Sequence, residues 1–347
     1  MKRRHFLHLS TAATAASIAS CGKSKVKERT LHVYTWADYL APDLAKKFEK
    51  EFSCKLVLDT FDSNESMHAK LAAGATGYDV LVPTSYMVKT LAREGLLQPL
   101  DHSKLTSLSS VDPDYLKRAL DPQMKHSVPY MMAPTCIAWR SDKVPNPEPS
   151  YSMYTRSDLK GRTTLLDDPR EVLGGALIFL GFPLNSKDPA QLAAARDLVK
   201  SWKPNLAKFE NEQYKSGIAS GEFHLVQGYA GDLFQVQEES ESVEIAIPRE
   251  GSAFSCDDLC ITKAAKEPGL AHDFINFLTM PEIAAENMQY ISYRAPNAAA
   301  YKLLPEDFRG NLVLFPDEAL FAKLQPIDDL GDAQALWTKM WDEVKAS

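Results

Sequence analysis

The sequence predicts an α/β protein made of two successive units. Short apolar runs alternate with helix-length amphipathic segments, the turns between them carry helix-capping residues, and the series starts afresh near residues 130–139. At 347 residues with 45% hydrophobic side chains, the chain is long enough to bury two cores.

The first unit begins after a polar tether at residues 22–29. Leu31-His32-Val33-Tyr34 reads as a strand ending at Trp36-Ala37-Asp38-Tyr39, and a helix follows from Pro42 with Leu44, Phe48 and Phe52 on one face. Residues 55–58 form a second strand. Asp62-Ser63-Asn64-Glu65 opens a helix carrying Met67 and Leu71, residues 79–83 form a third strand, and Thr84-Ser85-Tyr86 leads into a helix stopping at Gly95. This alternation implies parallel strands joined by right-handed crossovers. Ligands of such sheets sit outside the carboxyl ends of the strands, so the corners at 36–39, 63–65 and 84–86 should face one crevice. Each corner also has a plain structural reading: Trp36 or Tyr39 covers the sheet edge, and Thr84 and Ser85 cap a helix.

The second unit holds a strand at 163–166 and the corner Asp167-Asp168-Pro169-Arg170-Glu171, where Asp168, Pro169 and Glu171 fall at the N-cap, N1 and N3 positions. One reading is a capping box. The other is a cation site, because a helix N-terminus repels positive charge and a site for an ammonium there needs side-chain carboxylates. Asp188-Pro189-Ala190-Gln191 reads as another capping box, with Leu192, Leu198, Val199 and Trp202 pointing inward. A helix at 212–218, a strand at 223–227, a helix opened by Gly228-Tyr229-Ala230-Gly231-Asp232 and a strand at 243–247 follow. Amphipathic helices at 270–278 and 281–290, a turn at Tyr293-Arg294-Ala295-Pro296-Asn297 and a helix at 332–344 complete the chain. The stripe Leu336, Trp337, Met340 and Trp341 reads as core.

Residues 1–21 read as a targeting signal: Arg3-Arg4-His5-Phe6-Leu7 has the twin-arginine pattern, and residues 9–20 are too short and polar to anchor in a membrane. Ile18-Ala19-Ser20-Cys21 resembles a lipoprotein cleavage box with Cys21 as the acylated residue; the alternative is a plain signal peptide. The formal net charge is −7, and the leader contributes Lys2, Arg3 and Arg4 without any acid. The remainder is therefore more acidic still, which argues against nucleic acid and favours cationic partners. Cys54, Cys136, Cys256 and Cys260 lie in an export compartment where disulfides could form, but no histidine pattern completes a metal set, so buried thiols are expected. No segment after residue 21 reads as a membrane span.

Enzyme motifs are missing from the pattern. Gly217-Ile218-Ala219-Ser220-Gly221 departs from nucleophile-elbow spacing, and there is no phosphate-cradling glycine loop and no paired-histidine metal motif. Asp168 and Glu171, three apart at one helix start, would lie on the same side of a glycoside rather than flank it. No cofactor or metal is expected.

From about Thr30 to the C-terminus the chain resembles the periplasmic polyamine-binding proteins of spermidine/putrescine ABC importers. The resemblance rests on Trp36-Ala37-Asp38-Tyr39, Ser63-Asn64-Glu65-Ser66-Met67 with Ala69-Lys70-Leu71, and Tyr78-Asp79-Val80-Leu81-Val82-Pro83. It continues through Asp167-Asp168-Pro169-Arg170-Glu171-Val172, Asp257-Asp258-Leu259, and Tyr293 with Pro296-Asn297-Ala298-Ala299. It implies a type II two-lobed clamshell with a mainly parallel sheet flanked by helices in each lobe: residues 30–133 with 258–300, and 134–257 with 301–347. The chain crosses between lobes at hinges, and the ligand is bound in the cleft.

The same resemblance implies that Trp36 and Tyr39 lie along the methylene chain with Asp38 on their loop. Thr84, Ser85 and Tyr86 supply polar contacts, Asp168 and Glu171 hold one amine, Asp257 holds another, Tyr293 covers the ligand, and Gln325 is a looser assignment. The family's two flanking tryptophans are replaced by Tyr229 and Ser255, and a threonine by Ala37. Carboxylates are kept while aromatic area is lost, which points to an amine ligand of altered length or preference. Expected partners are a polyamine and an inner-membrane ABC permease, with a lipid anchor and a monomeric state. A polyamine sensor docking on a signalling receptor is the runner-up, and a secreted hydrolase using Asp168 or Glu171 is a more distant rival.

Overall fold

The computed structural model describes residues 29–347; the leader with Cys21 and the tether up to residue 28 lie outside them. The strands are β1 (Arg29–Thr35), β2 (Cys54–Thr60), β3 (Val80–Leu81), β4 (Ser127–Arg140), β5 (Thr163–Leu165), β6 (Leu206–Phe209), β7 (Leu225–Tyr229), β8 (Val243–Ala246), β9 (Ser252–Ile261) and β10 (Leu324–Pro326). The helices are α1 (Pro42–Phe52), α2 (Asn64–Ala72), α3 (Ser85–Arg93), α4 (Pro113–Leu116), α5 (Pro169–Phe179), α6 (Pro189–Trp202), α7 (Tyr214–Ser220) and α8 (Ala230–Glu239). They are followed by α9 (Pro268–Leu278), α10 (Pro281–Ile291), α11 (Glu306–Gly310), α12 (Glu318–Phe321) and α13 (Gln334–Lys345).

The strands run in the order β2-β1-β3-β9-β4-β7-β5-β6, with β10 added to β9 and β8 to β4. Strand β1 is parallel to β2 and β3, and β5 is parallel to β6 and β7, so each half has the parallel set its crossovers require. Between the two sets lie β9 and β4, which run antiparallel to each other and to their neighbours β3 and β7. The 14-residue β4 is the joint of the molecule. Its residues up to Pro134 pair with β9, and from Thr135 onward they pair with β7 and β8. Pro129 has no N–H to give a ladder, and the register with β9 shifts between it and Met131.

Local chemistry sets the helix starts. Ser63 caps α2 by accepting the Ser66 N–H at 3.2 Å, and Asp188 caps α6 by accepting that of Ala190 at 2.7 Å. The capping box expected there is only half made, because Gln191 Oε1 turns to the Ser186 hydroxyl at 2.6 Å. In one half Phe48 packs edge-on against Phe274, and in the other Trp202 is fully buried against Tyr151 and Phe179. Trp337 of the C-terminal stripe is also fully buried and donates its indole N–H to the Ser186 carbonyl at 3.0 Å. Cys54, Cys136, Cys256 and Cys260 are all buried.

Candidate functional site

Along β9 every residue is buried except Ser255 and Asp257. Alternation places these two on one half-buried face, while Cys256 and Asp258 point into the core. Asp257 gathers the corners of the first half. Tyr39 donates its hydroxyl to Asp257 Oδ2 at 2.7 Å, and Thr84 donates to Oδ1 at 2.7 Å. Thr84 sits at the N-cap of α3 yet makes no side-chain cap, so the plain capping reading does not hold for it. Asn64 at the start of α2 fixes Thr84 from both sides: its Nδ2 donates to Thr84 Oγ1 and its Oδ1 accepts the Thr84 N–H, each at 3.0 Å. The corners at 36–39, 63–65 and 84–86 therefore meet at one place.

The rings follow the same convergence. Tyr39 meets Tyr293 and Tyr130 edge-on, with centroids 5.7 and 5.6 Å away. Trp36 is half-buried against Phe61, and its indole N–H is buried without a hydrogen-bond partner. Tyr293 lies directly over Gly231: a Cβ at that glycine would stand 2.1 Å from Tyr293 Cδ2 and 2.6 Å from the Ser292 carbonyl oxygen. Only glycine permits that approach.

In the second half Asp168 caps α5, accepting the N–H groups of Arg170 at 2.7 Å and Glu171 at 3.3 Å. The capping-box reading holds for Asp168 but not for Glu171. Glu171, 3% exposed, turns inward and accepts the Thr135 hydroxyl from β4 at 2.5 Å. Between the two acids Arg170 is itself 3% exposed; its Nη2 donates to Asn185 Oδ1 at 2.6 Å and to the Asp328 carbonyl at 2.9 Å. Its guanidinium lies 5.5 Å from the centroid of the Tyr86 ring and 5.0 Å from that of Trp337. Tyr86 in turn donates to Glu65 Oε1 at 3.2 Å.

Three of the residues named from the resemblance are placed differently from the rest. Asp38 is exposed in a left-handed turn (φ +53°) and makes no hydrogen bond to the Asp257 group. Ser85 donates its hydroxyl to the Cys256 carbonyl at 3.0 Å, and Gln325 accepts the Leu184 N–H at 2.8 Å, so both brace backbone rather than present a free group. Reading the sequence placed Asn64 and Glu65 at a crevice-facing corner without a contact of their own and assigned no role to Thr135, Arg170 and Asp232, the last bonded to Tyr214. Asn64, Glu65 and Arg170 stand inside the motifs that carried the resemblance, whereas Thr135 lies in an apolar run with no spacing signal.

The electrostatics favour a cation. Loss of water pushes the Asp257 carboxyl up to about 6, against the pull of the Thr84 and Tyr39 hydrogen bonds. Burial, followed by the charge of Glu65, raises Asp168; burial, followed by the charge of Asp168, raises Glu171 despite Thr135 and Arg170. Tyr229, at the N-cap of α8, has its phenol raised by burial and then by Glu171, Asp168, Tyr293 and Asp257. One ring is thus within electrostatic reach of acids from both halves. Carboxylates held above their ordinary range gain most from an incoming positive charge, and the rings around them suit an apolar spacer. Among the described residues no group of three or more His, Cys, Asp or Glu side chains could hold a metal ion.

Two α/β halves joined by β4 and β9, with polar groups from both turned toward the space between them, define a two-lobed binding-protein fold. The chain belongs to the bacterial extracellular solute-binding protein family, whose model matches residues 43–311. It is 34% identical to the putrescine/cadaverine-binding protein of Pseudomonas aeruginosa, over 95% of this chain and 97% of that one. It is also 34% identical to the spermidine/putrescine-binding periplasmic protein of Escherichia coli, over 99% and 98%. Among solved structures, the TpPotD lipoprotein of Treponema pallidum superposes with a TM-score of 0.84 at 33% identity, covering 91% of this chain and 99% of that one. The spermidine/putrescine ABC transporter substrate-binding protein of Streptococcus pneumoniae does so with a TM-score of 0.82 at 31% identity, covering 92% and 99%.

Proposed function

We propose that this chain is the substrate-binding component of an ABC importer, taking a di- or polyamine between its lobes and delivering it to an inner-membrane permease. The proposal is carried by Asp257, held by Tyr39 and Thr84 of the first lobe, and by Asp168 and Glu171 at the start of α5 in the second, with the Tyr229 ring within electrostatic reach of all three acids. A polyamine is a row of ammonium groups separated by methylenes, and it needs acids at separated points with ring faces between them. Relatives named for putrescine, cadaverine and spermidine binding support the same ligand class. The lobes are residues 30–133 with 258–300 and 134–257 with 301–347; the first crossing agrees with the change of β4 partner at Pro134 and Thr135, and Asp257, the last residue before the second crossing, still pairs with the first-lobe part of β4. The protein works as a monomer outside the inner membrane, tethered through a lipid on Cys21, and leaves its ligand chemically unchanged. Among the described residues no helix is long and apolar enough to cross a membrane.

The test is a thermal-shift panel of putrescine, cadaverine, spermidine and spermine on the mature chain. A ligand at a hundredfold excess over its Kd stabilises the protein by about 2.7 kcal/mol. The expected result is a rise in Tm with at least one amine, and recovery of that amine intact. No shift with any of the four overturns the ligand class, and turnover of an amine conjugate overturns the assignment as a carrier.

A further inference from the structure

We infer that one face of α3 is a clasp that holds the two lobes shut. Helix α3 buries Met87, Val88 and Leu91 in its own half. Of its other side chains, Tyr86, Lys89 and Arg93 stand at i, i+3 and i+7 and so share a single stripe. All three meet groups of the other half. Lys89 Nζ lies 2.6 Å from Asp328 Oδ1, Arg93 Nη1 lies 2.7 Å from Asp329 Oδ2, and the Tyr86 ring lies beneath the Arg170 guanidinium.

The acidic turn that receives these cations is anchored on the side of α5. Asn185 Nδ2 donates to the Pro326 carbonyl at 2.8 Å, and Asn185 Oδ1 accepts the Asp328 N–H at 3.0 Å. Arg170 Nη2 holds both that Asn185 oxygen and the Asp328 carbonyl. The turn also shapes itself, with Asp329 N–H on Asp328 Oδ1 at 2.7 Å and Gly331 N–H on Asp329 Oδ1 at 3.0 Å. It moves with α5 when the lobes move.

The clasp is wired to the site at both ends. Thr84, one residue before α3, binds Asp257, and Arg170 stands between Asp168 and Glu171 in α5. A cation drawing Asp257 toward Asp168 and Glu171 brings the α3 stripe and the Asp328–Asp329 turn together in the same motion. Exposed ion pairs contribute little singly and are screened by salt, so the clasp tunes the balance between open and closed forms and does not create it. This inference needs the two-lobed fold but not the identity of the ligand.

The experiment reads the lobe separation directly, from spin labels at the exposed positions Glu51→Cys and Ala194→Cys on α1 and α6 of the mature chain. Distances are collected with and without spermidine, at low and high salt. The expected result is that Asp328→Lys shifts the distribution to longer distances and speeds ligand release about fivefold, that Lys89→Glu does the same, and that the two together restore the native distribution. Distances that ignore the single reversals, or a swapped pair that fails to restore them, overturn the clasp. If no polyamine shortens the distance, the ligand assignment falls while the ligand-free distances still decide on the clasp.

Discussion

Removing the Asp257 carboxylate is the perturbation whose consequence follows most directly from the geometry. Asp257 accepts two hydroxyl hydrogen bonds, from Tyr39 and Thr84, and among the described residues no basic side chain pairs with it. Burial holds it above its ordinary range, at about 6, where an added positive charge would favour its ionised form. An ammonium enclosed beside it makes a buried ion pair, and breaking such a pair from one side costs roughly 3 to 5 kcal/mol because the other charge is left unmatched. Asp257→Ala is expected to weaken polyamine binding at least a hundredfold, about 2.7 kcal/mol. Asp257→Asn is the shape-conserving control: it can still accept a hydroxyl hydrogen bond, so the corner stays assembled while the charge is gone, and its affinity falls comparably. Titration calorimetry measures both variants, with Tm confirming that each is folded. Unchanged affinity in the two variants removes Asp257 from the site and refutes the reasoning.

Gly231→Ala forces the Tyr293 ring away, since the new Cβ would stand 2.1 Å from Cδ2. Opening the lobes relieves that clash, so affinity is expected to drop about tenfold while the ligand-free Tm changes little; a lower Tm with normal affinity contradicts this. Raised carboxyls also set the pH dependence of stability. Asp257 at about 6 and Asp258 at about 7 bind more protons folded than unfolded between pH 4 and those values, so their contribution is full below pH 4 and lost as pH rises through 6 to 7. Denaturant melts of the ligand-free protein from pH 4.5 to 8 are expected to show this downward slope from these two groups, reduced in Asp257→Asn. A slope that Asp257→Asn leaves unaltered contradicts the assignment.

Helix starts were legible in the sequence because their chemistry is local: Ser63, Asp168 and Asp188 act within three residues of themselves. Strands β1, β2 and β5 were legible as apolar runs between turn residues. Strand β4 was not, because Pro129 and Pro134 break the pattern and its partners lie more than a hundred residues away in β9. Strands β6, Leu206-Ala207-Lys208-Phe209, and β10, which ends in Pro326, were not legible either, since neither is an unbroken apolar run between turn residues. At the site, spacing alone put Asp168 at the N-cap, and the family resemblance supplied Asp257 and Tyr293. Neither could show that Glu171 turns away from its own helix toward Thr135, since that choice depends on β4 arriving beside α5. The roles of Asn64 and Arg170 were hidden for the same reason: each acts through a side chain brought near only by the folded sheet.

On binding, Asp257, held by Tyr39 and Thr84 of the first lobe, and Asp168 and Glu171 of the second are drawn into their charged form by the ligand's own charge. Calorimetric titration of spermidine in two buffers of different ionisation heat counts the protons exchanged on binding. At pH 6 Asp257 alone releases about half a proton, with more from Asp168 and Glu171, and affinity rises with pH through that range. Binding that exchanges no protons at pH 6 and has the same affinity at pH 5.5 and pH 8 contradicts it.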